Sequence, residues 1–235
     1  MAERSGGRGV DSFFLKMLAI VTMTCNHAGY IFNGQLPFEA YCMLIGVGGF
    51  TFPIMAYLVL VGYRHTRSVK SYALRLLVFA LISEIPFWLF LGHEGNVMFT
   101  LLAGLLAFRL DDAVENRWLL TGAVALLALA TLFCDWGVIG VLAMYLFKRF
   151  EGRPGAVYLP LAVVAVVAGA YGLQELAEES ADAIPSIAYA CANMAAAPLL
   201  ARYNGERGYP LKYFFYAYYP LHIAVLGIAA RALSA

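Results

Sequence analysis

The chain is predicted to be an all-α polytopic membrane bundle of about nine transmembrane helices, and three observations predict it. Hydrophobic residues make up 62% of the 235 and charged residues only 13%, against roughly 45–50% and 25% in soluble domains. The apolar residues are gathered into runs near the ~20 residues needed to cross a bilayer. The basic residues sort onto alternate loops between those runs.

The spans are placed near residues 13–32, 42–63, 72–91, 96–109, 118–133, 136–148, 155–172, 184–201 and 213–231. The polar stretch MAERSGGRGVDS, residues 1–12, reads as a disordered amino-terminal tail, leaving 13–235 as a single transmembrane domain. The run that follows has no small-residue cleavage site and is taken as the first span, not a secretory signal. The second begins with Gly46, Gly48 and Gly49, which allow close helix approach. The third carries Glu84 and Pro86 deep inside it, and Asn96 is placed to cap the fourth. The fourth and sixth are short, so they are expected to tilt or to lie behind other helices. Pro160 and Pro198 are expected to kink the seventh and eighth, which carry almost no ionisable group.

With nine crossings, fifteen of the sixteen Lys and Arg fall on one face and only Arg231 on the other, which also carries Glu39, Glu94, Asp135 and the loop QELAEESAD. The amino terminus is therefore expected in the cytoplasm. Cys25, Cys42, Cys134 and Cys191 are scattered singly in apolar surroundings. They read as packing residues, with no metal centre or disulfide framework implied. Asp111 and Asp112 read as a solvated loop.

The final span is the most informative. LKYFFYAYYPLHIAVLG places Pro220 and His222 inside an apolar run. Proline has no N–H and strands the carbonyl of Tyr216, and an imidazole at membrane depth needs a partner or water. The first span carries Asn26 and His27, so two rings from opposite ends of the chain can meet in one cavity. Glu84 is a candidate to orient such a ring, or else a clamp to a neighbouring helix; Asp135 is a second acid, or an interfacial loop residue beside a headgroup-level Trp136. On the basic face, Arg64, His65, Arg67 and Arg75 cluster after the second span, and Arg202, Asn204, Arg207 and Lys212 precede the last. Together they suit an anion-binding mouth, though juxtamembrane charge also simply sets topology.

These stretches resemble one family. EIPFWLF followed by NVMFTLLAGLLA, then CDWGVIGVLA and RYNGERGYPLKYFFYAYYPLHIAVL, are similar to motifs of the TraX family, as are LKMLAIVTMTCNHAG and FPIMAYLVLVGYRHTRS. The likeness covers roughly residues 13–110, 133–147 and 198–227. It implies a multi-pass protein of the bacterial inner membrane that acetylates an acceptor such as a pilin amino terminus, with acetyl-CoA as donor. Where the family pattern favours an acid directly before the first histidine, this chain has Asn26; an amide orients His27 but cannot stabilise its cation as a carboxylate would, which leaves Glu84 or Asp135 as substitute. The implied site is His27 or His222 as general base, oriented by Glu84, with Tyr216, Tyr219 or Asn26 facing the oxyanion and the basic cluster holding the donor phosphates. Expected partners are membrane lipid, acetyl-CoA and a pilin-like protein, glycan or lipid acceptor, and no nucleic acid. A proton-coupled carrier and a non-catalytic scaffold are the competing expectations.

Overall fold

A computed structural model describes residues 9–209 and 212–234, Lys212 through its backbone only. Among them the chain is helical throughout and holds no sheet. The helices are α1 (Ser12–Ile31), α2 (Phe38–Gly48), α3 (Thr51–His65), α4 (Val69–Phe90) and α5 (Val97–Ala113). They continue with α6 (Arg117–Ala130), α7 (Gly137–Phe150), α8 (Tyr158–Ala177), α9 (Ala183–Ala201) and α10 (Lys212–Ser234). Short polar residues begin several of them by accepting an otherwise unpaired amide. Asp11 caps α1, Ser68 α4, Asn96 α5 and Asn116 α6.

The expected span 42–63 is two helices. Gly46, Gly48 and Gly49 leave no side chain on one side, and a Cβ at Gly46 would meet Ala188 of α9 at 3.0 Å. A Cβ at Gly49 would collide with the Tyr189 carbonyl, so α9 packs into this notch and the axis breaks at Gly49–Phe50. Among the described residues five apolar segments are long enough to cross a bilayer: Phe38–His65, Val69–Phe90, Tyr158–Ala177, Ala183–Ala201 and Tyr213–Ser234. The other four expected spans are weaker. α1 has 20 residues but carries Lys16, Thr22, Thr24, Asn26 and His27, while α5, α6 and α7 have 17, 14 and 14.

Of the expected proline kinks, Pro198 lies inside α9. Pro160 sits in the first turn of α8, where its missing N–H removes no ladder bond.

Residues 9–12, expected within the disordered tail, are tied down. Val10 N–H donates to the Arg202 carbonyl and its own carbonyl accepts from Asn204 N–H, both at 3.0 Å. Ser12 shares a hydrogen bond with the Tyr203 hydroxyl at 2.9 Å. Residues 1–8 lie outside the described residues.

Asp111 and Asp112 are not a solvated loop either; they form the last turn of α5. Lys148 Nζ reaches Asp112 Oδ1 at 2.7 Å, the Tyr63 hydroxyl donates to Oδ2 at 2.5 Å, and Arg149 reaches Asp111 at 3.3 Å. This clamp ties α3, α5 and α7 together at one end of the bundle. Burial alone would raise the Asp112 carboxyl, but the Lys148 ammonium and Tyr63 hydroxyl outweigh it and hold the group below its ordinary range. That stabilisation is present above the unfolded-state value and lost as pH falls through the lower folded one.

The Lys148 side chain is only 5% exposed while that of Asp112 is 42% exposed. Asp112→Asn, which strands the buried ammonium, should therefore cost about 2 kcal/mol, between the values for surface and fully buried pairs. Denaturant unfolding in detergent measures this, and adding Lys148→Met should restore most of the loss.

Candidate active site

One face of α1 presents Lys16, Ile20, Met23, His27 and Tyr30, spaced by four, three, four and three residues as a helix surface requires. All five line a cavity of about 1040 Å³ bounded also by α3, α4, α5, α9 and α10. From Ser12 to Tyr30, both on its wall, α1 rises ~27 Å, close to the ~30 Å of a hydrocarbon core.

The two ends of the cavity differ in charge. Lys16, His65, Arg67, Arg75 and Arg207 line one, together with Thr66, Ser68 and Ser71. Glu94 and Asp135 line the other, beside Tyr30 and Trp136. None of these four Lys and Arg residues pairs with a carboxylate among the described residues, and the Arg75 Nε is buried without a hydrogen-bond partner.

Between the ends lies the histidine pair. His27 Nδ1 and His222 Nε2 are 2.7 Å apart, with ring planes within 8°. Both residues are buried, at 7% and 6% exposure. Their partners assign the protons. His222 Nδ1 lies 2.9 Å from the Tyr218 carbonyl, which can only accept, so Nδ1 carries the hydrogen. In the neutral ring Nε2 is then bare and accepts from His27 Nδ1–H, leaving His27 Nε2 with a free lone pair. His27 lines the cavity, and His222 stands behind it.

The pair is held on both sides. The Tyr218 ring stacks on His222 at 5.0 Å between centroids, and its hydroxyl meets Thr24 of α1 at 2.8 Å. Tyr219 turns its ring edge to His27 at 5.9 Å. Its hydroxyl, near the Val97 amide but outside hydrogen-bond geometry, is buried and unpaired, as is Asn26 Nδ2. A Cβ on Gly48 would overlap Asn26, so the α2 notch also makes room for this amide.

Of the residues expected at the site, Asn26, His27, His65, Arg67, Arg75, Asp135, Tyr216 and Tyr219 share the cavity wall, with His222 directly behind. Others stand elsewhere. Glu84 does not orient a histidine: its carboxylate accepts from Asn96 Nδ2 at 2.6 Å and Asn96 N–H at 3.2 Å, clamping α4 to the start of α5. Arg64 pairs with Glu151 beside a smaller pocket of about 190 Å³. Arg202 contributes its carbonyl to Val10 and is exposed, and the Asn204 side chain accepts from the Glu206 amide at 2.8 Å. The Lys212 side chain lies outside the described residues.

Trp136 is not a headgroup anchor. It stacks on Phe52 at 3.9 Å and adopts φ 65°, so the turn into α7 aims it inward. Sequence reasoning missed Lys16, Tyr30 and Glu94 as parts of the site. Lys16 and Tyr30 had a readable signal, because they repeat the register of His27 along α1.

Comparison with known proteins fits this arrangement. The TraX family (TraX protein) matches residues 12–230. A curated relative, the probable fimbrial assembly protein FimC, serogroup H1, of Dichelobacter nodosus, is 30% identical over 241 residues, covering 93% of this chain and 96% of its own. No solved structure matches. A family match that runs from the first turn of α1 into the last turns of α10 takes in both histidines and every wall of the cavity, and the chain accordingly belongs to the TraX family.

Proposed function

We propose that this protein is an integral membrane acyltransferase that moves an acetyl group from cytosolic acetyl-CoA to an amine or hydroxyl acceptor, a pilin amino terminus being the family precedent. The observation that carries this reading is the cavity itself, which joins a cation-rich end to a buried histidine with a free lone pair. The FimC relative adds support for a pilus-related acceptor, since that protein is named for fimbrial assembly.

In this reading the basic end faces the cytoplasm. Arg75 and Arg67, with Lys16, Arg207 and the Ser68 and Ser71 hydroxyls, bind the donor phosphates, and the pantetheine arm extends along α1. At about 1040 Å³ the cavity lies at the upper end of small-molecule sites. His27 Nε2 takes the proton that the acceptor must lose, and His222 keeps His27 in the required tautomer while accepting from the cationic ring. Asn26 Nδ2 and the Tyr219 hydroxyl, both lacking partners, are the donors available to a developing oxyanion. A thioester needs little further activation.

A second reading, a proton-coupled carrier, draws on the same wall, because a cavity as long as α1 lined by imidazole and carboxylates is also what a relay needs. Labelled acetyl-CoA separates the two. Purified protein in nanodiscs is expected to bind it, with binding competed by CoA and lost in the Arg67→Ala, Arg75→Ala double variant. Undetectable CoA binding by correctly folded protein would remove the acyltransferase reading and leave the carrier.

A further inference from the structure

The end of the cavity opposite the cations carries two carboxylates, Asp135 and Glu94, that the donor does not need. Asp135 enters it from the turn between α6 and α7, held by its backbone: its N–H donates to the Gly95 carbonyl at 2.7 Å, and its own carbonyl accepts from the Thr100 hydroxyl at 2.7 Å. That anchorage uses the backbone groups of Asp135 alone, and the carboxylate itself has the Trp136 backbone N–H beside it. Neither Asp135 nor Glu94 has a cation within ion-pair distance among the described residues. The Tyr219 hydroxyl, on a residue only 5% exposed, has no hydrogen-bond partner on the same wall and lies within electrostatic reach of Asp135. A buried hydroxyl without a partner is costly unless a ligand supplies one.

We propose that Asp135, Glu94 and the Tyr219 hydroxyl form the acceptor subsite, which takes a primary ammonium group entering the cavity from the end opposite the donor. The inference rests on the acyltransferase reading and adds the residues that select the acceptor. Asp135 touches the acceptor directly. It holds the ammonium by a charge-assisted hydrogen bond, with Glu94 drawing cations to the mouth and the Tyr219 oxygen lone pairs, left open while its proton serves the oxyanion, aligning the nitrogen between Asp135 and His27.

The protons balance across the site. The ammonium gives one proton to Asp135, and the nitrogen bonds the acetyl carbonyl carbon as the carbon–sulfur bond breaks. Its second proton passes through His27 Nε2 to the departing thiolate. The products are the amide, the free CoA thiol and one proton left on Asp135.

The surroundings of Asp135 suit that step. Burial, and after it the neighbouring Glu94 carboxylate, push its carboxyl up to about 7. The other titratable groups facing it are Tyr30 of α1, Tyr189 of α9, Tyr219 of α10 and the adjoining Cys134. No basic group is among them, so an incoming ammonium meets an uncompensated acid. Because the raised group is protonated below about 7, acceptor affinity should weaken as pH falls through that value.

The test uses full-length protein in nanodiscs, saturating acetyl-CoA, and tetra-alanine amide with a free amino terminus as the acceptor probe. The expected result is transfer to this peptide, with Asp135→Asn raising its KM at least tenfold and removing the rise in KM below about pH 7. The Kd for acetyl-CoA should stay within about twofold, and Tyr219→Phe should raise KM by a smaller factor. Asp135→Glu, which restores the charge, should recover part of the loss, so misfolding of the Asn variant cannot mimic the outcome. An unchanged peptide KM in Asp135→Asn, or transfer only to the hydroxyl analogue of the peptide, overturns the inference while leaving donor binding and the enzyme reading intact. Failure to bind acetyl-CoA at all overturns the enzyme reading itself.

Discussion

His27→Ala is expected to lower kcat for acetyl transfer by about 10²–10⁴, the range a positioned general base contributes, with little change in acetyl-CoA affinity. The expectation comes from the direction of the hydrogen bonds. The Tyr218 carbonyl fixes the proton on His222 Nδ1, His222 fixes the proton on His27 Nδ1, and His27, which lines the cavity, keeps its other lone pair. His222→Ala removes only the orienting acceptor and should cost less, about 10–100-fold, as an outer partner of a catalytic ring does. His222→Gln tests the assignment further, because a side-chain carbonyl can still accept from His27 Nδ1–H and should restore part of the rate that alanine loses. Stopped assays with labelled acetyl-CoA at several pH values read all three. In the wild type kcat should fall on the acid side, where His27 is protonated and cannot accept, and His27→Ala should flatten that limb of kcat while leaving the rise in KM assigned to Asp135 in place. Normal turnover in His27→Ala would end the assignment.

Arg75→Ala should raise the Kd for acetyl-CoA by about 100-fold, or ~2.7 kcal/mol, within the span measured for truncating one member of a buried charge pair. Arg75 lies six residues into α4, ~9 Å along the helix from Val69. Its ring neighbour is Tyr72, at 5.7 Å, and its Nε lacks a partner. Arg67, by contrast, is exposed on the connection before α4. Arg67→Ala should weaken binding by only a few-fold, and that contribution should fade as salt shortens the Debye length. Arg75→Lys should recover little, since an ammonium cannot reproduce the planar two-donor edge. Equilibrium binding at low and high salt separates the two arginines.

Much of this site was legible because helices repeat. Asn26 and His27 stood out as polar residues in a lipid-length run, His222 as a second one beside a proline, and their meeting required only that the first and last helices pack together. The all-helical architecture followed from the apolar runs for the same reason. What could not be read depended on contacts remote in sequence. Glu84 had two plausible partners, an imidazole or a helix-start amide, and both satisfy a buried carboxylate; only the turn between α4 and α5 decides for Asn96. Arg64 and Glu151 are 87 residues apart and share no local pattern. The break at Gly49 was masked because α2 and α3 together form one unbroken apolar segment of 28 residues, and hydropathy does not report an axis change. The clamp at Asp112 was missed because two adjacent acids near an expected helix end look like solvated punctuation until a lysine on another helix covers them.

That a single side of α1 carries Lys16, His27 and Tyr30 ties three tasks of the proposed reaction to one angular register. Inserting one residue between Lys16 and His27 would rotate everything beyond it by ~100° and shift it ~1.5 Å, swinging the imidazole off His222 while Lys16 stayed in place. Such a variant should still bind acetyl-CoA yet turn over nothing, and adding two further residues, which brings the rotation to within about 60° of a full turn, should realign it in part. In a library of length variants, α1 should tolerate fewer changes than the short α5–α6 connection at residues 114–116, where no such phase has to be kept.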